Sequence, residues 1–359
     1  MKENIPATDV AAYFLRLGLT AFGGPAAHIA MMEEEVVGRR HWLSRDEFLD
    51  MLGAVNLIPG PNSTEMAIFI GYRVLGWPGI FLGGACFILP AAFVTLAFAW
   101  AYAKFGALPQ AAGLLYGIKP VIIAVVVQAL WSLGRTAIKS RPLAAVALAA
   151  AAGSFLGVNF LLILLAAGTI CALEHRARSA PLLSASPFAL WKLFAVFLKI
   201  GAVLYGSGYV LLAFLRVDLV ERLGWLTSSQ LLDAVAVGQF TPGPVFTTAT
   251  FIGYLLGGLP GAALATIGIF LPSFVFVAVS GPLIPRLRRS PAAGAFLDGV
   301  NAASLALMLV VALMLVRSAV VDAPTSLLAL ASAFLLIRCR VNSAWLVLGG
   351  GALGFIMMR

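Results

Sequence analysis

The chain has 359 residues, 61% of them hydrophobic and only 11% charged, with a mean hydropathy of +1.00 and a formal charge of +9. So few charges exclude an ordinary soluble domain, in which about a quarter of the residues are charged. The excess of Lys and Arg reads as topology and contact with anionic lipid rather than nucleic acid, because no soluble domain is there to carry a nucleic-acid surface.

Uncharged runs at 74–103, 142–173 and 234–285 exceed the ~20 residues that span a hydrocarbon core. The predicted class is an all-α polytopic membrane protein. A β-barrel is excluded, since barrels need short alternating strands rather than continuous apolar runs. The opening residues, MKENIPATDV, lack the features of a signal peptide, so the N-terminus is expected to stay on. Cys86, Cys171 and Cys339 are lone residues in apolar surroundings and read as packing. Neither a metal site nor a cofactor is expected.

In chain order, the first apolar segment, AAYFLRLGLTAFGGP, carries Arg16 at its middle and ends in Gly23, Gly24 and Pro25, with His28 just beyond. The run Glu33 to Glu35 followed by Arg39, Arg40 and His41 predicts a solvated, salt-bridged amphipathic loop. Next comes NLIPGPNSTE at 56–65, a Pro-Gly-Pro break inside an apolar stretch. Spans follow at about 80–103 and 111–134, the second interrupted by Lys119 before Pro120. The 32 uncharged residues at 142–173 fit a tight hairpin that crosses twice, or one tilted span, and 323–358 poses the same choice. The hydrophilic stretch 174–187 predicts a cytoplasmic linker between a first unit, 1–173, and a second, 188–359. The second unit opens with FAVFLKIGAVLYGSG, which holds Lys199, Gly206 and Ser207, and reaches QFTPGPVFTT at 239–248.

Sliding the sequence by 183 residues aligns Trp42 and Leu43 with Trp225 and Leu226, Asp50 with Asp233, and Pro59-Gly60-Pro61 with Pro242-Gly243-Pro244. The same shift pairs Gly18 with Gly201, Gly23 with Gly206, and Arg16 with Lys199. After the second proline a shift of 182 continues through Gly71 and Gly253, Pro78 and Pro260, and Pro90 and Pro272. One unit of some 180 residues is therefore written twice. Basic clusters at Arg135 to Arg141, Arg176/Arg178, Arg286 to Arg289 and Arg338/Arg340, read as cytoplasmic, make equivalent spans point opposite ways. The expected architecture is two inverted repeats of about ten spans in all, plus two re-entrant hairpins.

A Pro-Gly-Pro inside the membrane frees carbonyls and N–H groups, which is tolerable only where protein or a water-filled cavity satisfies them. Inverted-repeat transporters use such broken helices to build a midplane site with half-helix N-termini aimed at an anion. Residues after each break suit a helix start: Asn62 with Glu65 resembles a capping box, and Ser63, Thr247 and Thr248 supply small hydroxyls. Arg16 and Lys199 either snorkel to an interface or face those N-termini and draw an anion inward. Glu65 reads as a cap or as a proton-coupling group, and His28 as an interfacial histidine or a protonation sensor. Lys119 reads as lining the pathway or satisfying the carbonyls freed by Pro120.

Taken together, LGLTAFGGPAAHIAMMEEEVV, the Trp42-Leu43 pair with Phe48, and PGPNSTEMAIFIGYR resemble the chromate ion transporter family in its long two-domain form. The resemblance covers essentially the whole chain. It implies a bacterial inner-membrane, multi-pass exporter of chromate, with sulfate as a competing analogue and the membrane potential or protons as the driving force. A homodimer stays open. The second half departs from the pattern, with Gly206-Ser207-Gly208 for Gly23-Gly24-Pro25 and Val245-Phe246 for Asn62-Ser63, so the first half is expected to dominate substrate contact. Alternatives are a sulfate or other oxyanion transporter, a channel, or a membrane-embedded enzyme. An enzyme is disfavoured because three scattered histidines and few acids within spans supply no nucleophile–base set.

If Arg16 and Lys199 serve the anion, Arg16→Ala and Lys199→Ala each reduce oxyanion transport at matched membrane abundance. Arg16→Lys then separates a bidentate contact, which lysine cannot make, from a plain charge requirement. Normal transport by both alanine variants removes the two residues from the site.

Overall fold

The computed structural model describes residues 5–22, 24–55, 58–106, 109–138, 141–155, 188–204, 210–280, 319–339 and 343–357. Single positions at 163, 166–167, 299, 302–303, 306, 309–310, 312–313, 316 and 341 are also described. The linker 174–187, the second limb of the expected hairpin in 142–173, most of the expected span 295–316, and the site candidates Gly23, Gly206 and Ser207 lie outside the described residues.

The described residues are helical, with no strand among them. The first half runs through α1 (Ala7–Thr20), α2 (Gly24–Glu33), α3 (Arg45–Val55), α4 (Asn62–Leu75), α5 (Trp77–Phe105), α6 (Pro109–Ala137) and α7 (Arg141–Phe155). The second half gives α8 (Leu190–Val203), α9 (Leu211–Leu215), α10 (Ser228–Phe240), α11 (Thr248–Ser280), α12 (Ala323–Arg338) and α13 (Ser343–Met357). Among the described residues two stretches, Trp77–Phe105 and Val245–Ser280, are long and apolar enough to cross a membrane. Their outward faces are greasy at helical spacing: Trp77, Phe81, Leu89 and Phe93 on α5, and Ile267, Leu271, Val275 and Val279 on α11, are all exposed. A face of that kind suits lipid, not water.

Local chemistry explains the irregular points. The acidic run after α2 does not form a loop. The helix continues through a wider π-type turn at Glu34–Arg39, tied by ion pairs from Arg39 to Glu34 (2.6 Å) and from Arg40 to Glu35 (2.7 Å). The Arg40 guanidinium lies over Trp42 and Tyr13, 5.0 and 5.7 Å from their ring centres. A second π-type turn, Arg216–Arg222, stands at the same register of the other half, where Arg222–Asp218 at 3.2 Å repeats the Arg39–Glu35 pair at 3.7 Å. At the start of α12, Asp322 and Thr325 form a capping box.

Left-handed backbone also recurs at the repeat register. His41 (φ 52°) matches Gly224 (62°), Gly60 (137°) matches Gly243 (85°), and Gly76 (68°) matches Gly258 (60°). Gly76 separates α4 from α5, and Gly258 kinks α11 at the same point.

The chain divides into two compact units that are not its two halves. Residues 1–103, 189–208 and 237–289 make one; 104–188, 209–236 and 290–359 make the other. In the first unit glycines let helices approach until a Cβ would strike backbone: Gly18 against the Phe87 carbonyl, Gly201 against that of Ile269, Gly71 against Gly79, and Gly253 against Gly261. In the second unit α6 packs on α13 through Gly117 and Gly350, and on α12 through Val125 and Leu336.

Because those contacts are with rigid backbone, Gly71→Val or Gly253→Val should each cost about 1–3 kcal/mol through overpacking. The check is the midpoint of thermal unfolding in detergent. Gly38→Ala, whose new methyl meets nothing within 4 Å, should leave that midpoint unchanged.

Candidate oxyanion site

Both Pro-Gly-Pro segments lie in the first compact unit, and each interrupts a helix. α3 ends at Val55 and α4 begins at Asn62; α10 ends at Phe240 and, after a 3₁₀ turn at Val245–Thr247, α11 begins at Thr248. Pro59, Gly60 and Pro61, like Pro242, Gly243 and Pro244, are all buried. Proline cannot extend the preceding helix, and a glycine with positive φ turns the chain where another residue would be strained.

The breaks are held by an exchange of backbone hydrogen bonds. Gly60 donates its N–H to the carbonyl of Leu204 at 2.7 Å, and Gly243 donates to the carbonyl of Ala21 at 2.8 Å. Leu204 and Ala21 are the residues that end α8 and α1. Donors and acceptors are each related by the shift of 183, so each half closes the broken helix of the other. These two N–H groups are therefore engaged by protein.

Side chains differ between the two breaks. Pro61, not Asn62, caps α4; its carbonyl accepts the N–H groups of Thr64 (2.7 Å) and Glu65 (3.0 Å). Asn62 is the first helical residue, and no side chain caps this end, so the expected Asn62–Glu65 capping box is not formed. Glu65 is fully buried, and both its carboxyl oxygens lack a hydrogen-bond partner. Ser273 of α11 is equally buried; its hydroxyl approaches the carboxyl without the geometry of a hydrogen bond. Both flank Gly60, where a Cβ would collide with Glu65 Oε1 and stand 2.8 Å from Ser273 Oγ. Ser63, two residues before Glu65, is also buried.

At the second break the polar groups are satisfied. Thr247 takes the register of Glu65 and donates its hydroxyl to the Pro244 carbonyl at 2.9 Å; Thr248 does the same to Val245 at 2.8 Å. Thr95 of α5 donates to Thr247 Oγ1 at 3.1 Å and lies 3.3 Å from Thr241 Oγ1. A Cβ on Gly243 would meet Ala91 Cβ at 2.5 Å and the Gly18 carbonyl at 3.0 Å.

The remaining candidates fall as follows. Gly24 has φ 80° and opens α2 with Pro25. His28 is buried, its Nε2 lies 3.2 Å from the Ala21 carbonyl, and its ring stands edge-on to Phe87. It thus reaches the same carbonyl that accepts the Gly243 N–H. Arg16 sits on the exposed side of α1, away from the buried face of Val10, Phe14 and Leu17, and Lys199 is half-buried on α8. Lys119 belongs to the second unit, where it pairs with Asp233 at 3.2 Å and donates to Ser229 at 2.7 Å. Sequence reading missed Ser273, Thr95 and Thr241. The repeat register carried a signal for two of them, since Ser273 aligns with Ala91 and Thr95 with Val277; those are places where one copy is polar and the other apolar. No cluster of His, Cys, Asp and Glu suited to a metal occurs among the described residues.

A site of this build, two broken helices tied across a repeat, is what comparison with known proteins bears on. The family model for chromate transporters matches residues 8–172 and again 191–355. The chain belongs to the chromate transporter family. It is 33% identical over 362 residues to the chromate transport protein of Cupriavidus metallidurans, covering 95% of this chain and 90% of that protein. It is 32% identical to the probable chromate transport protein of Synechococcus elongatus, over 89% of this chain and 86% of that one. With the chromate transport protein of Pseudomonas aeruginosa it shares 33% identity over 81% and 76% of the two chains. No solved structure matches this chromate transporter family member. Membership makes the chain a membrane protein, in keeping with its two long apolar helices.

Positive φ at both glycines sets an expected strain of about 1–3 kcal/mol for either alanine. Gly243→Ala should lower the unfolding midpoint more than Gly60→Ala, because its methyl meets a backbone carbonyl and a packed Ala91, whereas at Gly60 the obstacles are side-chain ends. Thermal melts of both variants in detergent check the order.

Proposed function

We propose that this protein is a secondary transporter of chromate that works by alternating access and exports the anion across the bacterial inner membrane. The reading is a multi-pass chain of two inverted repeats, 1–173 and 188–359 joined by 174–187, with about ten spans and two re-entrant hairpins. The single observation that carries it is the reciprocal bond pair, Gly60 to Leu204 and Gly243 to Ala21. Two copies of a broken helix, each closed by the other copy, form a site with a pseudo-two-fold relation, as inverted-repeat carriers require. The lengths of α3 and α4, 11 and 14 residues, give about 16 and 21 Å at 1.5 Å per residue. Neither reaches the ~30 Å of a hydrocarbon core, so the pair suits a hairpin that enters and returns.

In this reading the oxyanion lies against the first turn of α4, at Asn62 and Ser63, where the helix dipole is positive. Pro59 to Pro61 and Pro242 to Pro244 shape the approach, and Gly23, Gly24, Pro25, Gly206, Ser207 and Thr247 complete the wall. The polar groups left open beside Gly60, against the satisfied hydroxyls beside Gly243, support a dominant first half-site. Protons are the proposed coupling ion. Arg16 and Lys199 supply attraction, and His28 and Lys119 are secondary pathway groups.

Everted membrane vesicles should accumulate labelled chromate ahead of sulfate, phosphate and molybdate, and a pH gradient should change the rate. Counterflow in liposomes separates a carrier from a channel. Accumulation in right-side-out vesicles alone reverses the direction, and no chromate flux in either removes the reading.

A further inference from the structure

Among the described residues, Glu65 is the carboxyl whose two oxygens are both buried without a hydrogen-bond partner. It sits one turn into a 14-residue half-helix, has no exposed surface, and neither oxygen finds a donor. Ser273 contributes a second buried hydroxyl without a partner, aimed at the same Gly60. Native structures leave few buried polar atoms unsatisfied, and a cluster of them marks a place kept for another group. The neighbours supply no compensating charge. Asp9 and Arg16 of α1, Asp46 and Asp50 of α3 and Lys104 of α5 are exposed, α11 carries no charge, and His28 of α2 is turned to Ala21. The Ser273 hydroxyl is the polar group that approaches the carboxyl, without the geometry of a hydrogen bond.

An anion brought to the first turn of α4 would meet this carboxyl directly. Two negative oxygens cannot share such a dry space; one proton must lie between them. We propose that Glu65, seconded by Ser273, is the specificity contact of the oxyanion site and shares a single proton with one oxygen of the bound anion. The site thereby selects an oxyanion that protonates near neutral pH, such as chromate, over one that stays fully ionised, such as sulfate. This rests on the reading of the protein as an oxyanion transporter. The balance is simple. A dianion meeting the carboxylic acid, or a hydrogen-oxyanion meeting the carboxylate, reaches the same bound state, and only the O–H bond changes hands. Chromate and sulfate are both tetrahedral dianions, so shape separates them poorly, whereas the basicity of their oxygens differs widely. A shared proton reads basicity. The second half-site, with Thr247 and Ala91 at the corresponding positions, has hydroxyl donors and no such group.

The test uses purified full-length protein in nanodiscs, with chromate binding and its competition by sulfate measured for wild type, Glu65→Gln and Ser273→Ala. Glutamine keeps the shape and donates, but cannot share a proton. Glu65→Gln should still bind chromate while its preference for chromate over sulfate falls about tenfold, the scale of one hydrogen bond to a charged group. Chromate-induced infrared difference spectra should carry a protonated-carboxyl C=O band that shifts in D₂O and disappears in Glu65→Gln. Ser273→Ala should weaken both anions and move that band, which keeps the test decisive if Glu65→Gln fails to fold. Unchanged selectivity in Glu65→Gln, or a carboxyl band indifferent to chromate and to Ser273→Ala, overturns the inference and leaves oxyanion transport standing. Failure of wild type to bind chromate at all removes the underlying reading as well.

Discussion

Two backbone hydrogen bonds hold the centre of the first compact unit. A helix broken in a membrane exposes amide groups that lipid cannot satisfy, and each unsatisfied group costs several kcal/mol. Here the glycine N–H of each break is taken by the last carbonyl of the first helix of the other half: Gly60 by Leu204, Gly243 by Ala21. Much of the surrounding structure serves that exchange. Gly18 and Gly201 let α1 and α8 lie close on α5 and α11, against the carbonyls of Phe87 and Ile269. His28 supports the Ala21 carbonyl from a third side.

Packing symmetry and chemical symmetry part company at the same place. The backbone repeats along the shared register, down to the left-handed glycines at 76 and 258, and the close helix contacts through Gly71 and Gly253 repeat with it. Side chains facing the breaks are not matched. Glu65 and Ser273 on one side answer to Thr247 and Ala91 on the other, and Thr95 answers to Val277. A duplicated scaffold thus carries one break with open polar groups and one whose hydroxyls are closed on their own backbone.

Charge follows the same separation of tasks. The acidic and basic residues after α2 and α9 pair along π-type turns. Lys119 finds its counter-charge in Asp233, inside the second unit. The unpaired buried carboxyl of Glu65 stands out against these arrangements.

The sequence by itself determined the all-helical membrane class, the register of the duplication and the position of both breaks. Apolar run length, proline and positive-φ glycine act locally, so their consequences are legible without knowing what lies across the core. The same local logic misread the start of α4, where Asn62 and Glu65 have the spacing of a capping box, but Pro61 takes the cap position and leaves Glu65 inside. It also left the fates of His28 and Lys119 open, since burial against Phe87 and pairing with Asp233 depend on residues distant in the chain. Ser273 and Thr95 carry no motif; only their place opposite Gly60 and Thr247 makes them part of a site. Which carbonyl receives each glycine N–H was decided by the tertiary structure alone. Hydrogen bonds between elements far apart in sequence follow from how helices pack, and no local pattern encodes them.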